Sequence, residues 1–105
     1  MAIRKSIEEK VVLDHPRSIL LEPVQKALGN AGFKKITINK TMWQISGVYH
    51  SFTTWGEILI ILVPVSNNRK TEMHIKSTAS IDNIYALFSS PNKKIINLFK
   101  SNFEI

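Results

Sequence analysis

The sequence predicts an α+β domain: one antiparallel sheet in βαββββα order, with two helices packed on one of its faces. Three patterns predict it. Leu20, Val24, Ala27, Leu28 and Ala31 recur at helical spacing, as do Ile95, Ile96, Leu98, Phe99 and Phe103; each set builds a helix with one apolar side. Residues 71–80 alternate, with Met73, Ile75, Ser77 and Ala79 on one side and Glu72, His74, Lys76 and Thr78 on the other, the mark of a strand with one wet face. Between them, Trp55-Gly56-Glu57 opens the run Ile58-Leu59-Ile60-Ile61-Leu62-Val63-Pro64-Val65, apolar on both faces. Such a strand is covered on two sides, or its second face awaits a partner or ligand. Residues 58–65 are therefore expected to be extended and dry on both flanks.

The elements follow in order. Residues 10–13 read as a short first strand, and residues 1–8 are expected to lie outside the ordered fold. Asp14-His15-Pro16 announces a helix over residues 16–30. Pro23 interrupts it, either as a kink or as the sign that the true start is Glu22-Pro23. Gly29-Asn30-Ala31-Gly32 supplies the stop, because Gly and Asn tolerate the left-handed conformation. In residues 33–40, Ile36 and Ile38 fall on one face with Lys34 and Lys40, and Phe33, Lys35, Thr37 and Asn39 on the other. Asn39-Lys40-Thr41 makes a hairpin turn, and residues 42–49 form the next strand, with Trp43, Ile45, Gly47 and Tyr49 on one face. Residues 50–54 are a longer connection. After the apolar strand, Ser66-Asn67-Asn68-Arg69-Lys70 is a hairpin turn, since paired Asn residues accept positive φ. Pro64 sits awkwardly in a central strand, which ends early or bulges there. Residues 81–89 connect to the last helix and bury Ile84, Tyr85, Leu87 and Phe88. Ser90-Pro91 caps that helix, whose wet side carries Lys93, Lys94, Asn97 and Lys100.

Composition bounds the function. The chain has 105 residues, enough for one domain with one core. It contains no cysteine, which excludes disulfides, thiolate metal sites and cysteine nucleophiles. Met1-Ala2-Ile3-Arg4-Lys5-Ser6 has no apolar stretch behind it, so no signal peptide is expected. No apolar run approaches the ~20 residues of a membrane helix, so no membrane span and a cytoplasmic location are expected. The net charge of +6 is spread over separate pairs, Arg4/Lys5, Lys34/Lys35, Arg69/Lys70 and Lys93/Lys94, which reads as solvated surface rather than a binding block.

Chemistry-bearing residues are few. His15, His50 and His74 show no metal-ligand spacing, so no metal and no cofactor are expected. His74 stands between Glu72 and Lys76 on one strand face, the pattern of a charge ladder. Glu57 has a carboxylate at the strand entrance but no acid partner nearby in sequence. No serine sits in a nucleophile elbow, and the glycines match no phosphate loop. The chain is not expected to be an enzyme. Trp55 at the strand entrance packs over a core edge or stacks a flat ligand. Trp43 and Tyr49 share a face, with Lys35 or Lys76 near them, and are core or a stacking surface; periodicity does not decide which.

Ser51-Phe52-Thr53-Thr54-Trp55-Gly56-Glu57, the strand ending Lys76-Ser77, Asn92-Lys93-Lys94-Ile95-Ile96-Asn97 and the helix exit Ala27-Leu28 to Gly32-Phe33 resemble a family of small bacterial domains without an assigned activity. The likeness covers most of the chain. It departs where Ser90-Pro91-Asn92 replaces the glycine-containing cap before the last helix. It implies the βαββββα fold, similar to the TATA-binding-protein-like and helix-grip arrangements, and no activity. The expected function is a small binding or protein-interaction domain that uses an apolar sheet face, through a protein partner or self-association as a homodimer. Nucleic-acid binding through the sheet and binding of a small hydrophobic ligand are the alternatives. The ligand or interface candidates are Trp43, Tyr49, Trp55, Glu57, Leu59, Ile61 and His74.

Overall fold

The computed structural model describes residues 4–50, 55–80 and 91–104. The elements are β1 (Arg4–Leu13), a one-turn 3₁₀ helix (Arg17–Ile19), α1 (Leu21–Asn30), β2 (Lys34–Asn39), β3 (Gln44–His50), β4 (Trp55–Val65), β5 (Lys70–Ser80) and α2 (Pro91–Asn102). The five strands form one antiparallel sheet in the order β1-β5-β4-β3-β2. Strands β2 to β5 are a meander, and β1 returns to the outer side of β5. The expected α+β class and two-helix layer are what the chain adopts.

One face of the sheet makes the core. Ile58, Ile60 and Leu62 of β4, Ile45 of β3, and Met73, Ile75 and Ala79 of β5 are buried there. They meet Val24, Ala27 and Leu28 of α1 and Ile95, Ile96 and Phe99 of α2. Helix α1 lies toward β2 and β3, α2 toward β4 and β5, and the two helices touch. Burial of each large aliphatic chain contributes about 1.5–3 kcal/mol, so this layer is the main source of stability.

Several boundaries differ from expectation, each for a local reason. Strand β1 starts at Arg4 and runs ten residues, because β5 is long enough to pair with all of it, from Arg4↔Ser80 to Leu13↔Thr71. Residues 4–8 thus belong to the sheet. The first helix begins at Leu21 after the 3₁₀ turn, which puts Pro23 in the first turn, where a missing N–H costs nothing. Its end is a Schellman cap: Gly32 at φ 93° donates to Gly29 O at 3.1 Å and Phe33 to Leu28 O at 3.0 Å.

Strand β2 is bulged between Lys34 and Thr37, with Lys35 at φ 53°. The bulge breaks the simple alternation expected for residues 33–40. Phe33 and Ile36 accordingly both reach Gly47 on the core side. His50 ends β3 rather than opening a loop. Pro64 pairs with Thr71 inside β4, so the strand neither stops early nor shifts register there. Ser66, Asn67 and Asn68 are all left-handed, at φ 53°, 57° and 67°, as the turn reading required. The expected burial of Ile84, Tyr85, Leu87 and Phe88 falls outside the described residues, as does Ser90.

Two buried polar contacts fix the layers. Ser77 Oγ on β5 donates to Asn92 Oδ1 in the first turn of α2 at 2.8 Å. Thr71 Oγ1 donates to the His15 carbonyl at 2.8 Å, tying the entry to α1 onto the start of β5.

Candidate functional site

Among the described residues no helix lies on the second sheet face and nothing forms a layer over it. Side chains stand there in cross-strand rungs set by the register. His50 pairs with Trp55. Val48, Glu57 and Thr78 form the next rung, then Ser46, Leu59 and Lys76, then Gln44, Ile61 and His74, and then Val63 with Glu72. On β1, Ser6, Glu8, Lys10 and Val12 extend four of these rungs.

Leu59, Ile61 and Val63 are half-buried. They are shielded by the stems of neighbouring rows rather than by a covering layer. The expectation that β4 is dry on both flanks is therefore corrected: Ile58, Ile60 and Leu62 are dry, and the opposite flank meets solvent between polar rows. An antiparallel sheet with helices on one face permits this, because its other face can stay wet.

Five of the seven candidate residues share this surface: Trp55, Glu57, Leu59, Ile61 and His74. Trp43 and Tyr49 do not. Trp43 packs against the core side at φ 54° with the Arg17 guanidinium 4.3 Å from its ring centre. Tyr49 packs on Phe33 with ring centres 5.3 Å apart. Both rings are partly buried and pack against the core cluster. The exposed ring of the open face is Trp55, at the start of β4: it is 61% exposed, and its ring centre lies 5.7 Å from that of His50.

His74 Nε2–H donates to Glu72 Oε1 at 2.6 Å, and the other ring nitrogen lies 3.7 Å from Glu8 Oε1. Of the expected ladder the Glu72–His74 contact is present, while Glu8 of β1, rather than Lys76, is the other charged group beside His74. Ser6 Oγ and Thr78 Oγ1 share a hydrogen bond at 3.2 Å on the same face.

Between the Trp55 end and Ile61 the face hollows into a cleft of about 280 Å³, near the lower end of small-molecule sites. Lys35 and Lys76 reach it from opposite sides, with Ser46, Thr78 and Glu57 as further polar lining and Val48 and Leu59 as its apolar floor. Gly47 contributes only backbone to the lining, because its side-chain position faces Phe33 and Ile36 on the core side. Neither Lys35 nor Lys76 has a carboxylate within ion-pair distance among the described residues. Glu57 keeps a polar partner of its own.

Sequence reading found Lys76 through alternation and grouped Lys35 with Thr37, whose partner Ser46 also lines the cleft. The residue it misplaced is Phe33, which the bulge separates from that row and leaves on the core side. Among the described residues no cluster of His, Asp or Glu is arranged to hold a metal ion, and no helix is long and apolar enough to cross a membrane.

No protein-family model and no curated protein matches the chain. A solved structure does. One chain of "Crystal structure of the adenylate sensor from AMP-activated protein kinase complexed with ATP" aligns with a TM-score of 0.67 and 19% identity, over 88% of this chain and 92% of that one. At that identity the likeness speaks for the fold alone.

Proposed function

We propose that this chain is a non-catalytic binding domain whose open sheet face is its contact surface, and that the first occupant of that face is a second copy of the chain. The observation that carries the reading is the apolar row Leu59-Ile61-Val63, which no other described residue covers as a layer and which polar rows border on both sides. An apolar centre with a polar rim is the anatomy of a protein interface. Five strands about 4.8 Å apart and some eight residues long give a face of roughly 650 Å², against the ~800 Å² per partner of a standard stable complex.

The charges on this face suit self-pairing. A two-fold axis lying in the interface across the Ile61–His74 rung sets Leu59 of one copy against Val63 of the other. It also sets Lys76 against Glu72, so each copy supplies both signs of the same contact. Charge on the face is mixed, with Glu8, Glu57 and Glu72 among Lys10 and Lys76. Mixed charge suits a protein partner better than a phosphate backbone, which selects unbroken positive stripes.

The domain is also read here as TATA-binding-protein-like in topology and as a member of the small bacterial family that its Trp55-Gly56-Glu57 motif resembles. The solved neighbour is described as complexed with ATP, which supports a small-ligand role beside the protein contact.

Sedimentation or light scattering at high micromolar concentration tests the proposal. The native chain is expected to run as a dimer and Ile61→Glu as a folded monomer, because the substitution sets two carboxylates face to face at the axis. A native chain that stays monomeric throughout rejects it.

A further inference from the structure

We infer that the cleft and the ring beside it form a binding site for a nucleoside 5′-monophosphate. The inference rests on the open face as a contact surface, and because Leu59 and Lys76 belong to both the cleft and the proposed dimer contact, the nucleotide takes the face of the monomer in competition with a second copy. Three kinds of chemistry occur there in one order along β4. The exposed Trp55 ring, backed by His50, is a stacking platform. Two residues on, about 7 Å along the strand, comes the Glu57 carboxylate. One rung further stand Lys35 and Lys76, with the hydroxyls of Ser46 and Thr78 beside them. Ring, acceptor and cation in that sequence match base, ribose and phosphate.

Each pairing has its own physical basis. A flat base on a tryptophan gains stacking that does not depend on base identity. A carboxylate accepts from two adjacent hydroxyls, and with about four acceptor positions it can do so while keeping its existing partner. Two ammonium groups on opposite walls hold a phosphate as point charges. Lys35 and Lys76 have no carboxylate partner among the described residues to give up. Lys35 lies in the bulge of β2, at φ 53°, and lines the cleft together with Ser46. Glu57 disfavours a bare anion in the cleft, so selectivity for the whole nucleotide over phosphate alone is part of the inference.

The test is a titration of the full chain with AMP and UMP, followed by Trp55 fluorescence in a Trp43→Phe background and by equilibrium dialysis on the native chain. Saturable binding with quenching is expected for both nucleotides, with adenosine and inorganic phosphate each at least tenfold weaker. Removing one charge-assisted contact by Lys35→Gln or Lys76→Gln is expected to weaken binding about tenfold, while Lys10→Gln, on the same face away from the cleft, leaves it unchanged. 2′-Deoxy-AMP is expected to bind several-fold more weakly through loss of one hydroxyl to Glu57.

Phosphate binding as tightly as AMP overturns the inference in favour of a simple anion patch. Affinity that climbs with oligonucleotide length and is not competed by AMP overturns it in favour of a nucleic-acid groove. Unchanged affinity in both lysine variants, or no binding to either the native chain or Ile61→Glu, also overturns it. Because Ile61→Glu is outside the cleft lining, binding to it alone assigns the failure in the native chain to a dimer that covers the site, which supports both readings.

Discussion

Gly56 is the tightest position in the sheet, and replacing it tests the described packing directly. A Cβ built there meets the Thr78 carbonyl oxygen at 2.6 Å, Ile95 Cδ1 at 2.7 Å and Ala79 Cα at 3.0 Å. The backbone is not left-handed at this glycine; Gly32 is the glycine with positive φ. The constraint is therefore space, set by α2 pressing onto β4 where β4 meets β5. Ile95 Cδ1 ends a flexible chain and can swing away. The Thr78 oxygen and Ala79 Cα belong to the backbone of β5 and move only with the sheet. Overpacking of this kind costs about 1–3 kcal/mol, and two backbone contacts out of three put Gly56→Ala toward the upper end. For a domain of this size about 2–3 kcal/mol lowers the melting temperature by roughly 10–15 °C.

Two other glycines calibrate the measurement. At Gly47 the nearest atoms are Phe33 Cβ at 3.3 Å and Phe33 Cδ2 at 3.6 Å, so Gly47→Ala is expected to cost less than half as much. At Gly29, on the exposed side of α1, nothing lies within 4 Å. There alanine is expected to stabilise by about 0.5–1 kcal/mol through helix propensity and a stiffer unfolded chain. Thermal and urea denaturation of the three variants read the order. Gly56→Ala melting within two degrees or so of the native chain refutes the close approach of α2 to β4.

Leu62→Asp is expected to leave the chain unfolded, since an unpaired carboxylate in that layer costs several kcal/mol or more; far-UV circular dichroism and loss of a cooperative melt check it. Ser77→Ala removes the donor to Asn92 Oδ1 and is expected to cost about 1–2 kcal/mol, read as a lower urea midpoint. An unchanged midpoint means that the contact does not hold α2 to β5.

Much of this architecture was legible because its elements obey simple periods. The alternation of residues 71–80 gave both faces of β5, and the spacing of Ile95, Ile96 and Phe99 gave the buried side of α2. Asn67 and Asn68 announced a left-handed turn by residue type. What escaped were features set by pairing partners. The length of β1 depends on β5, and Val12, 60% exposed, gave no apolar period to extend. The extra residue in β2 separates Phe33, on the core side, from the row of Lys35 and Thr37 with which alternation had grouped it. The face occupied by Trp43 and Tyr49 was open until the helices showed which side of β3 they cover. The Ser77–Asn92 contact joins two residue types that carry no signal of burial.

Strand β1 is made before any of its partners: Ser6 meets Thr78 across 72 residues, and β1 pairs with β5 alone. During synthesis the N-terminal segment must therefore wait until the last hairpin has emerged, while β2 to β5 can already assemble around local turns. Docking of that late arrival closes a long loop, an entropic demand that slows folding. Glu8, Glu9 and Lys10 in mid-segment keep the waiting strand from adhering to other nascent chains.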